Sequence, residues 1–105
     1  MRAPLAGLAV LLLLSPASAA APRTFKVAID QMKFGAMPAA VRPGDRIAWV
    51  NRDLFRHTAT AKAAGFDVDL PPGTTRVSTV TRSGTFTVAC RYHPGMRTQL
   101  TVAAK

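Results

Sequence analysis

The sequence has only one cysteine among its 105 residues and no glutamate. A single cysteine cannot close an intramolecular disulfide, so a disulfide-stapled miniprotein is excluded. The short length excludes a multidomain enzyme. Hydrophobic residues make up 49% of the chain, which is too many for an acidic disordered protein. What remains is one small packed domain.

The amino-terminal segment has the layout of a secretory signal peptide. Arg2 precedes an apolar run at 5–14, and small residues follow in which Ala17 and Ala19 form an Ala-x-Ala cleavage site. The apolar run is short for a bilayer span, which disfavours the alternative of an uncleaved anchor. We therefore expect a signal peptide at residues 1–19, a mature domain at 20–105 in the periplasm, and no stable membrane insertion of the mature chain.

Basic residues outnumber acidic ones, with 14 Lys and Arg against five Asp. Without Arg2, 13 basic minus five acidic residues leave +8 on a mature chain of about 86 residues. A basic surface favours an acidic partner, and an exported protein meets little nucleic acid, so no nucleic-acid partner is expected. Because the charges are scattered singly, a compositional bias of the genome explains them equally well.

The mature part alternates apolar and polar residues with the period of β-strands, and no helical period persists. Turn-forming residues separate the alternating segments. Several short strands at close spacing predict a β-sandwich or barrel, in which Trp49 shares the inward face of its strand with Ile47. The alternating segments are 24–30, 46–51, 57–61, 76–80, 85–90 and 99–102.

Four side chains that suit soft or borderline metal ions occur in the second half of the chain. Cys90, His93 and Met96 fall within seven positions, and His57 begins an alternating segment. Cys90 shares a strand face with Val88, so it is predicted to point inward where the following loop can bring His93 and Met96 over it. Two imidazoles, a thiolate and a thioether are the ligands of a blue copper site.

These residues also have simpler interpretations and could serve other kinds of site. Taken singly, Cys90 is a small buried hydrophobe, Met96 fills a core and His57 lies in a loop. A Cys-His hydrolase would leave the methionine unexplained and needs a cleft that a domain of this size hardly offers. A structural zinc site prefers more Cys and His and no thioether. Met32 and Met37 are interpreted as core or rim residues.

Almost the whole mature chain resembles the small bacterial blue-copper proteins, which are the amicyanin- and plastocyanin-like cupredoxins. The ligand segment Cys90-x-x-His93-Pro94-x-Met96 is similar to the short ligand loop of amicyanin. Further motifs stand in the family's order: Met32-Lys33-Phe34, the segment 41–53 leading to His57-Thr58, Phe66-Asp67, Pro72-Gly73 and Gly84-Thr85-Phe86.

The resemblance implies an all-β, cupredoxin-like Greek-key β-sandwich of eight strands or slightly fewer, which binds one copper ion. His57, Cys90 and His93 would be ligands, and Met96 would be the long axial contact. It also implies that Asn51 ties the His57 loop to the Cys90 loop by hydrogen bonds.

The function that the resemblance implies is one-electron transport between periplasmic redox partners, and not enzyme catalysis. Electrons would leave through the exposed ring edge of His93, and Pro94 matches the family beside it. A copper carrier or copper-resistance protein could use the same four ligands without cycling electrons, and it stays open as the alternative.

A candidate docking surface surrounds the ligand loops, where several residues depart from the family pattern. Arg56 and Arg91 would place positive charge on this surface, so the expected partner of the monomer is an acidic redox protein such as a cytochrome c or a periplasmic dehydrogenase. The candidate docking residues are Phe55, Arg56, Arg91, Tyr92 and Gly95.

Overall fold

The computed structural model describes Gly7 and residues 21–104. Apart from Gly7, the predicted signal peptide at 1–19 lies outside the described residues. No helix formed by residues 21–104 has the length and apolar character needed to cross a membrane.

The described residues form eight β-strands in two four-stranded sheets. The first sheet has the order β2-β1-β3-β6, and its strands are β1 Thr24–Asp30, β2 Lys33–Phe34, β3 Arg46–Asn51 and β6 Thr75–Thr79. The second sheet has the order β5-β4-β7-β8, and its strands are β4 His57–Ala61, β5 Phe66–Leu70, β7 Gly84–Ala89 and β8 Arg97–Val102. A short 3-10 helix at Lys62–Ala64 links β4 to β5.

The strands pair mainly in the antiparallel sense, but β1 and β3 run parallel, from Thr24 opposite Arg46 to Ile29 opposite Asn51. The connections β3 to β4, β5 to β6 and β6 to β7 pass from one sheet to the other. Such crossings join the sheets of a Greek-key sandwich. The predicted all-β Greek-key sandwich of eight strands is confirmed.

The core lies between the inward faces of the two sheets, and Trp49 is its largest side chain. Alternation along β3 buries Ile47 and Trp49 together, as predicted. The indole Nε1–H donates to Ser78 Oγ at 2.9 Å, so its polar atom is paired. The ring contacts Phe34 of the first sheet and Phe66 of the second, with centroids 5.9 and 5.8 Å away. This aromatic group therefore joins the two layers.

The Asp45 carboxylate ties the beginnings of β1 and β3 together. Its oxygens accept the backbone N–H groups of Arg23 and Arg42, both at 2.9 Å, and the Arg23 guanidinium at 3.2 Å. The backbone N–H of Arg23 followed by that of Arg42 lowers the pKa of Asp45 below its ordinary value, against the opposing effect of burial. Asp45 is thus a buried, fully bonded anchor.

The predicted segments 24–30, 46–51 and 57–61 coincide with β1, β3 and β4. The predicted segments 76–80 and 85–90 end one residue after the observed strands β6 and β7, respectively. Strand β8 begins at Arg97, two residues before the predicted start at 99. Strands β2 and β5 were not predicted. Of the two other methionines, Met37 packs against the core and Met32 is half-buried, which agrees with their interpretation as core or rim.

Candidate metal centre

The candidate ligands come from one end of the second sheet. His57 is the first residue of β4, and Cys90 follows the last residue of β7, the strand beside β4. Cys90 is buried and points inward beneath the ligand loop, as the alternation with Val88 predicted. His93 and Met96 lie on the connection between β7 and β8, which returns over the thiol.

Three donor atoms converge in this region. His57 Nδ1 lies 3.2 Å from His93 Nδ1, and Cys90 Sγ lies 3.3 Å from His93 Nδ1 and 3.8 Å from His57 Nδ1. The two imidazole rings cross at 61° with centroids 4.9 Å apart. In a four-coordinate site with bonds of about 2.0 Å to nitrogen and 2.3 Å to sulfur, neighbouring donors are about 3.3–3.6 Å apart. The side chains present therefore fit a single metal ion.

The loop carrying His93 and Met96 is closed by its own backbone. The N–H of Cys90 donates to the carbonyl of Met96 at 3.0 Å, and the N–H of Met96 donates to the carbonyl of His93 at 2.9 Å. The Met96 side chain is buried in the same core cluster as Cys90. The closed loop thus carries a thioether into the same buried cluster as the Cys90 thiol, and a thioether is the weak fourth ligand of a blue copper site.

The four candidate ligands differ in how far their side chains are exposed to water. His57 is 0% exposed, and Cys90 and Met96 are also buried. His93 is only half-buried, so its ring reaches the protein surface. Water is thereby kept from three of the four side chains, and His93 is the one that connects the group to solvent.

Asp53 contacts the candidate ligand His57 and was not predicted from the sequence. Its Oδ2 lies 2.7 Å from His57 Nε2. An ionised carboxylate only accepts hydrogen bonds, so Nε2 carries the proton and His57 Nδ1 is left with a free lone pair. That lone pair faces His93 and Cys90, which is the tautomer that metal ligation through Nδ1 requires.

The turn between β1 and β2 holds the Asp53 carboxylate in place. Backbone N–H groups of Gln31 and Met32 donate to its two oxygens at 2.8 and 2.9 Å. Both turn residues are left-handed, with φ of 51° and 62°, an unusual conformation for residues other than glycine. Burial pushes the pKa of Asp53 up, but the Met32 amide, His57 and the Gln31 amide together lower that pKa below its ordinary value.

Asn51 is buried at the end of β3 and braces the loop that leads to His57. Its Nδ2 donates to the carbonyls of Phe55 and Leu70, both at 2.8 Å, and lies 3.3 Å from that of Pro71. Its Oδ1 accepts the N–H of Asp53 at 2.9 Å. In the described part of the chain these bonds link the His57 loop to the end of β5, whereas the resemblance implied a link to the Cys90 loop. The backbone of Asn51 is bonded to the β5–β6 connection, since its N–H donates to the carbonyl of Thr74 at 2.9 Å, and this places the side chain beside Leu70 and Pro71.

Large side chains are exposed around His93, as a docking surface needs. Phe55 is 60% and Tyr92 47% exposed, and Pro94 and Gly95 are exposed beside them. Leu54, which was not predicted, is 90% exposed. No sequence pattern distinguishes it from a core leucine, because the 52–56 loop has no alternation.

The two arginines of the candidate docking surface are both paired with aspartates of β5. Arg56 Nε lies 3.7 Å from Asp69 Oδ1, and the Arg91 guanidinium contacts Asp67. Each pair cancels a charge locally, so this part of the surface is less positive than the sequence alone predicts.

Residues 4–102 match the protein family described as the cupredoxin-like domain. Among solved structures, a reduced-state mutant of amicyanin is similar, with a TM-score of 0.64 and 26% identity over 76% of this chain and 82% of that chain. The Cu(I) form of another amicyanin mutant has a TM-score of 0.63 and 28% identity over 76% of this chain and 82% of that chain. An oxidized amicyanin mutant has a TM-score of 0.62 and 27% identity over 75% of this chain and 81% of that chain. No curated protein matches the sequence.

Proposed function

Because this chain belongs to the cupredoxin-like domain family, we propose that it is a blue copper protein that carries single electrons between redox partners. The observation that carries the proposal is the convergence of two imidazole Nδ1 atoms and one thiol within 4.8 Å, beneath a loop that also buries Met96. The similar amicyanin structures include Cu(I) and oxidized forms, which supports one copper ion with two oxidation states here.

Copper bound by this set would supply an ion that alternates between Cu(I) and Cu(II). The imidazoles of His57 and His93 suit both states, and the sulfur atoms of Cys90 and Met96 favour Cu(I). The hydrogen bond that His57 donates to Asp53 holds its imidazole, and the backbone hydrogen bonds of the ligand loop hold the segment from Cys90 to Met96. A rigid set of mixed ligands suits neither state fully, so little atomic movement accompanies electron transfer.

Electrons would enter and leave through His93. It is the most exposed of the four candidate ligands, and Phe55, Leu54 and Tyr92 are exposed on the loops that carry His57 and His93. An apolar surface can be desolvated at low cost when a partner binds, which brings the partner's redox centre close to the ring. We propose that Phe55, Arg56, Arg91, Tyr92 and Gly95, together with Leu54, contact that partner.

The proposed partner is an acidic redox protein, such as a cytochrome c or a periplasmic dehydrogenase, which meets a monomer of this chain. The overall excess of basic residues supports this choice. Export to the periplasm depends on the signal peptide proposed at residues 1–19. On this proposal the protein binds no substrate and catalyses no reaction of its own.

Burial of the ligands favours an electron carrier over a protein that delivers copper. A delivery protein must let an acceptor's ligands reach the ion, but His57, Cys90 and Met96 are all buried. Handing the ion over would therefore require the ligand loop to open. Slow copper loss to a metal-free acceptor, combined with fast and reversible electron exchange, is expected.

The first test is the visible spectrum of residues 20–105, titrated with Cu(II) and then reduced. We expect an intense blue thiolate-to-copper band at one equivalent that bleaches on reduction and returns on oxidation. Cys90→Ser should abolish the band, whereas Met37→Leu, which changes another sulfur side chain next to the core, should keep it. A wild-type protein that stays colourless, or a Cys90→Ser variant that stays equally blue, would contradict the assignment.

A further inference from the structure

A ring of hydrogen bonds on the outer face of the second sheet begins and ends at Arg91. The backbone N–H of Arg91 donates to Thr58 Oγ1 at 2.9 Å, and Thr58 Oγ1 lies 2.8 Å from Thr60 Oγ1. Thr60 Oγ1 donates to Asp67 Oδ1 at 2.8 Å. The Arg91 guanidinium returns to the other oxygen of the same carboxylate.

The direction of every bond in this ring is determined by chemistry. The Asp67 carboxylate only accepts, so the hydroxyl proton of Thr60 is used there. Thr60 must then accept the proton of Thr58, and the oxygen of Thr58 is free to accept the Arg91 N–H. The three bonds from the Arg91 amide through the two threonines to Asp67 therefore run in one direction, and neighbouring hydrogen bonds in such a chain polarise and strengthen one another. The Arg91 guanidinium donates to the same carboxylate by a separate, direct bond.

The ring spans three adjacent strands. Asp67 lies on β5, Thr58 and Thr60 lie on β4, and Arg91 follows β7 by two residues. The side chain of Arg91 therefore runs across the outer face of β4 to reach β5. Thr58 is fully buried, so its contact with the Arg91 amide is shielded from water.

The ring touches the chain immediately beyond two candidate metal ligands. Thr58 follows His57, and Arg91 follows Cys90. The N–H of Cys90 itself is bound to the Met96 carbonyl. Both peptide groups that flank the Cα of Cys90 are thus anchored, one to the ligand loop and one to β4. Anchoring both peptides fixes the backbone dihedral angles of Cys90, and with them the direction of its Cα–Cβ bond and the χ1 rotamers that Sγ can adopt.

We propose that this ring positions the metal centre from outside the ligand set, by holding the peptide after Cys90 against the residue after His57. The inference rests on the proposed copper function, although the ring itself belongs to the protein chain. Among the described residues, the side chains of Arg91 and Asp67 form no hydrogen bond with a candidate ligand atom, so they act as positioning residues. The positive charge of Arg91 then serves to bind Asp67 within this chain, and not only to attract a partner protein.

Thr58→Val tests the ring at the Arg91 amide, and Thr58→Ser is its matched rescue because it restores the hydroxyl. In the metal-free protein we expect amide hydrogen exchange at Arg91 to be about tenfold faster in Thr58→Val and unchanged in Thr58→Ser. In the copper-loaded protein Thr58→Val should change the Cu(II) hyperfine splitting and the reduction potential, and Thr58→Ser should not. Thr85→Val, on the same sheet face, is the control for loss of a threonine hydroxyl that does not belong to the ring.

Asp67→Asn and Asp69→Asn form a second pair that avoids a buried substitution. Both remove one negative charge from β5 and one partner of an arginine, but only Asp67 belongs to the ring. We expect Asp67→Asn to change the hyperfine splitting and Asp69→Asn to leave it at the wild-type value.

Three results would overturn the proposal. The first is an equal hyperfine splitting in the two asparagine variants together with an unchanged spectrum in Thr58→Val. The ring would then have no effect on the metal centre, and the blue copper assignment would still stand. An Arg91 amide that exchanges freely in the wild type would remove the ring itself, whatever the colour of the protein. If the amide is protected but the wild type is colourless with copper, the proposed function fails, and the positioning role fails with it.

Discussion

At the scale of single residues, the Asp53 carboxylate determines which nitrogen of His57 faces the other donors. With Nε2–H bound to Asp53, the imidazole cannot rotate or exchange tautomers without breaking a charge-assisted hydrogen bond. The carboxylate is itself fixed by two amides of the β1–β2 turn. A short turn in the first sheet therefore controls a ligand in the second.

Replacing Asp53 should weaken copper binding without removing a ligand. We expect Asp53→Ala to reduce copper affinity by about 10- to 100-fold, because the orientation and tautomer of His57 are no longer fixed. The affinity can be measured by competition with a chelator of known strength. Asp30→Ala removes the same charge from the exposed end of β1 and should leave the affinity within about twofold of the wild type. Equal losses in both variants would show that only charge matters.

The residues of the centre differ in how far the sequence reveals them. The spacing of Cys90, His93 and Met96 is local and chemically distinctive, so these candidates could be predicted before the fold. Asp53 could not, because its role depends on a turn more than 20 positions away that carries no recognisable pattern. The threonine ring was missed for the same reason, since it exists only once β5, β4 and β7 are neighbours.

At the scale of elements, Asp45 joins two strands that are distant in sequence but parallel and adjacent in the first sheet. It accepts backbone N–H groups on both sides of this junction and is buried there. Hydrogen bonds to a charged group of this kind contribute about 1.5–3 kcal/mol. The parallel β1–β3 pair therefore depends on an ionised carboxylate as well as on its own backbone bonds.

This dependence should appear in the stability of the metal-free protein at low pH. The pKa of Asp45 is lower in the folded protein than its ordinary value of about 3.9, so its contribution is complete above that value and is lost as the pH falls through the folded-state pKa. We expect the free energy of unfolding, measured with urea, to stay level from pH 6 to about pH 5 and to fall as the pH is lowered further, through 4 and below. Asp45→Asn should be less stable at pH 6 and show a smaller fall. Parallel pH curves for the two proteins would contradict this assignment.

The strands were predictable to the extent that they alternate. In β1, β3 and β4 one face is buried along the whole strand, so the period of two is visible in the sequence. Strand β5 also alternates, with Asp67 and Asp69 on its outer face, but its five residues follow directly on the 3-10 helix and were not recognised. Strand β2 has only two residues, too few for any period.

At the scale of the whole molecule, the positive charge is distributed widely. Arg23, Arg56 and Arg91 have aspartate partners. The other basic residues at 21–104 form no ion pair with the aspartates of that part of the chain, and many of them lie away from the ligand loops. Attraction to an acidic partner should thus arise from the field of the entire surface more than from contacts beside His93.

The rate of electron exchange with an acidic redox protein should accordingly depend on salt. We expect the second-order rate constant, measured by stopped flow, to fall by about tenfold or more as ionic strength rises from 0.01 to 0.5 M. Exchange with a basic redox protein of similar potential is the control and should rise or stay level. If the rate constant with the acidic protein did not change with ionic strength, a compositional bias of the genome would be favoured as the origin of the net positive charge.

The Trp49 cluster gives the molecule a built-in optical reporter. The chain has one tryptophan, and it lies fully buried between an aromatic ring of each sheet. Its fluorescence comes from one environment only, and separating the two layers would expose the indole and move its emission to longer wavelengths. Opening of the sandwich can therefore be followed with and without copper on the unlabelled protein, independently of the colour of the metal centre.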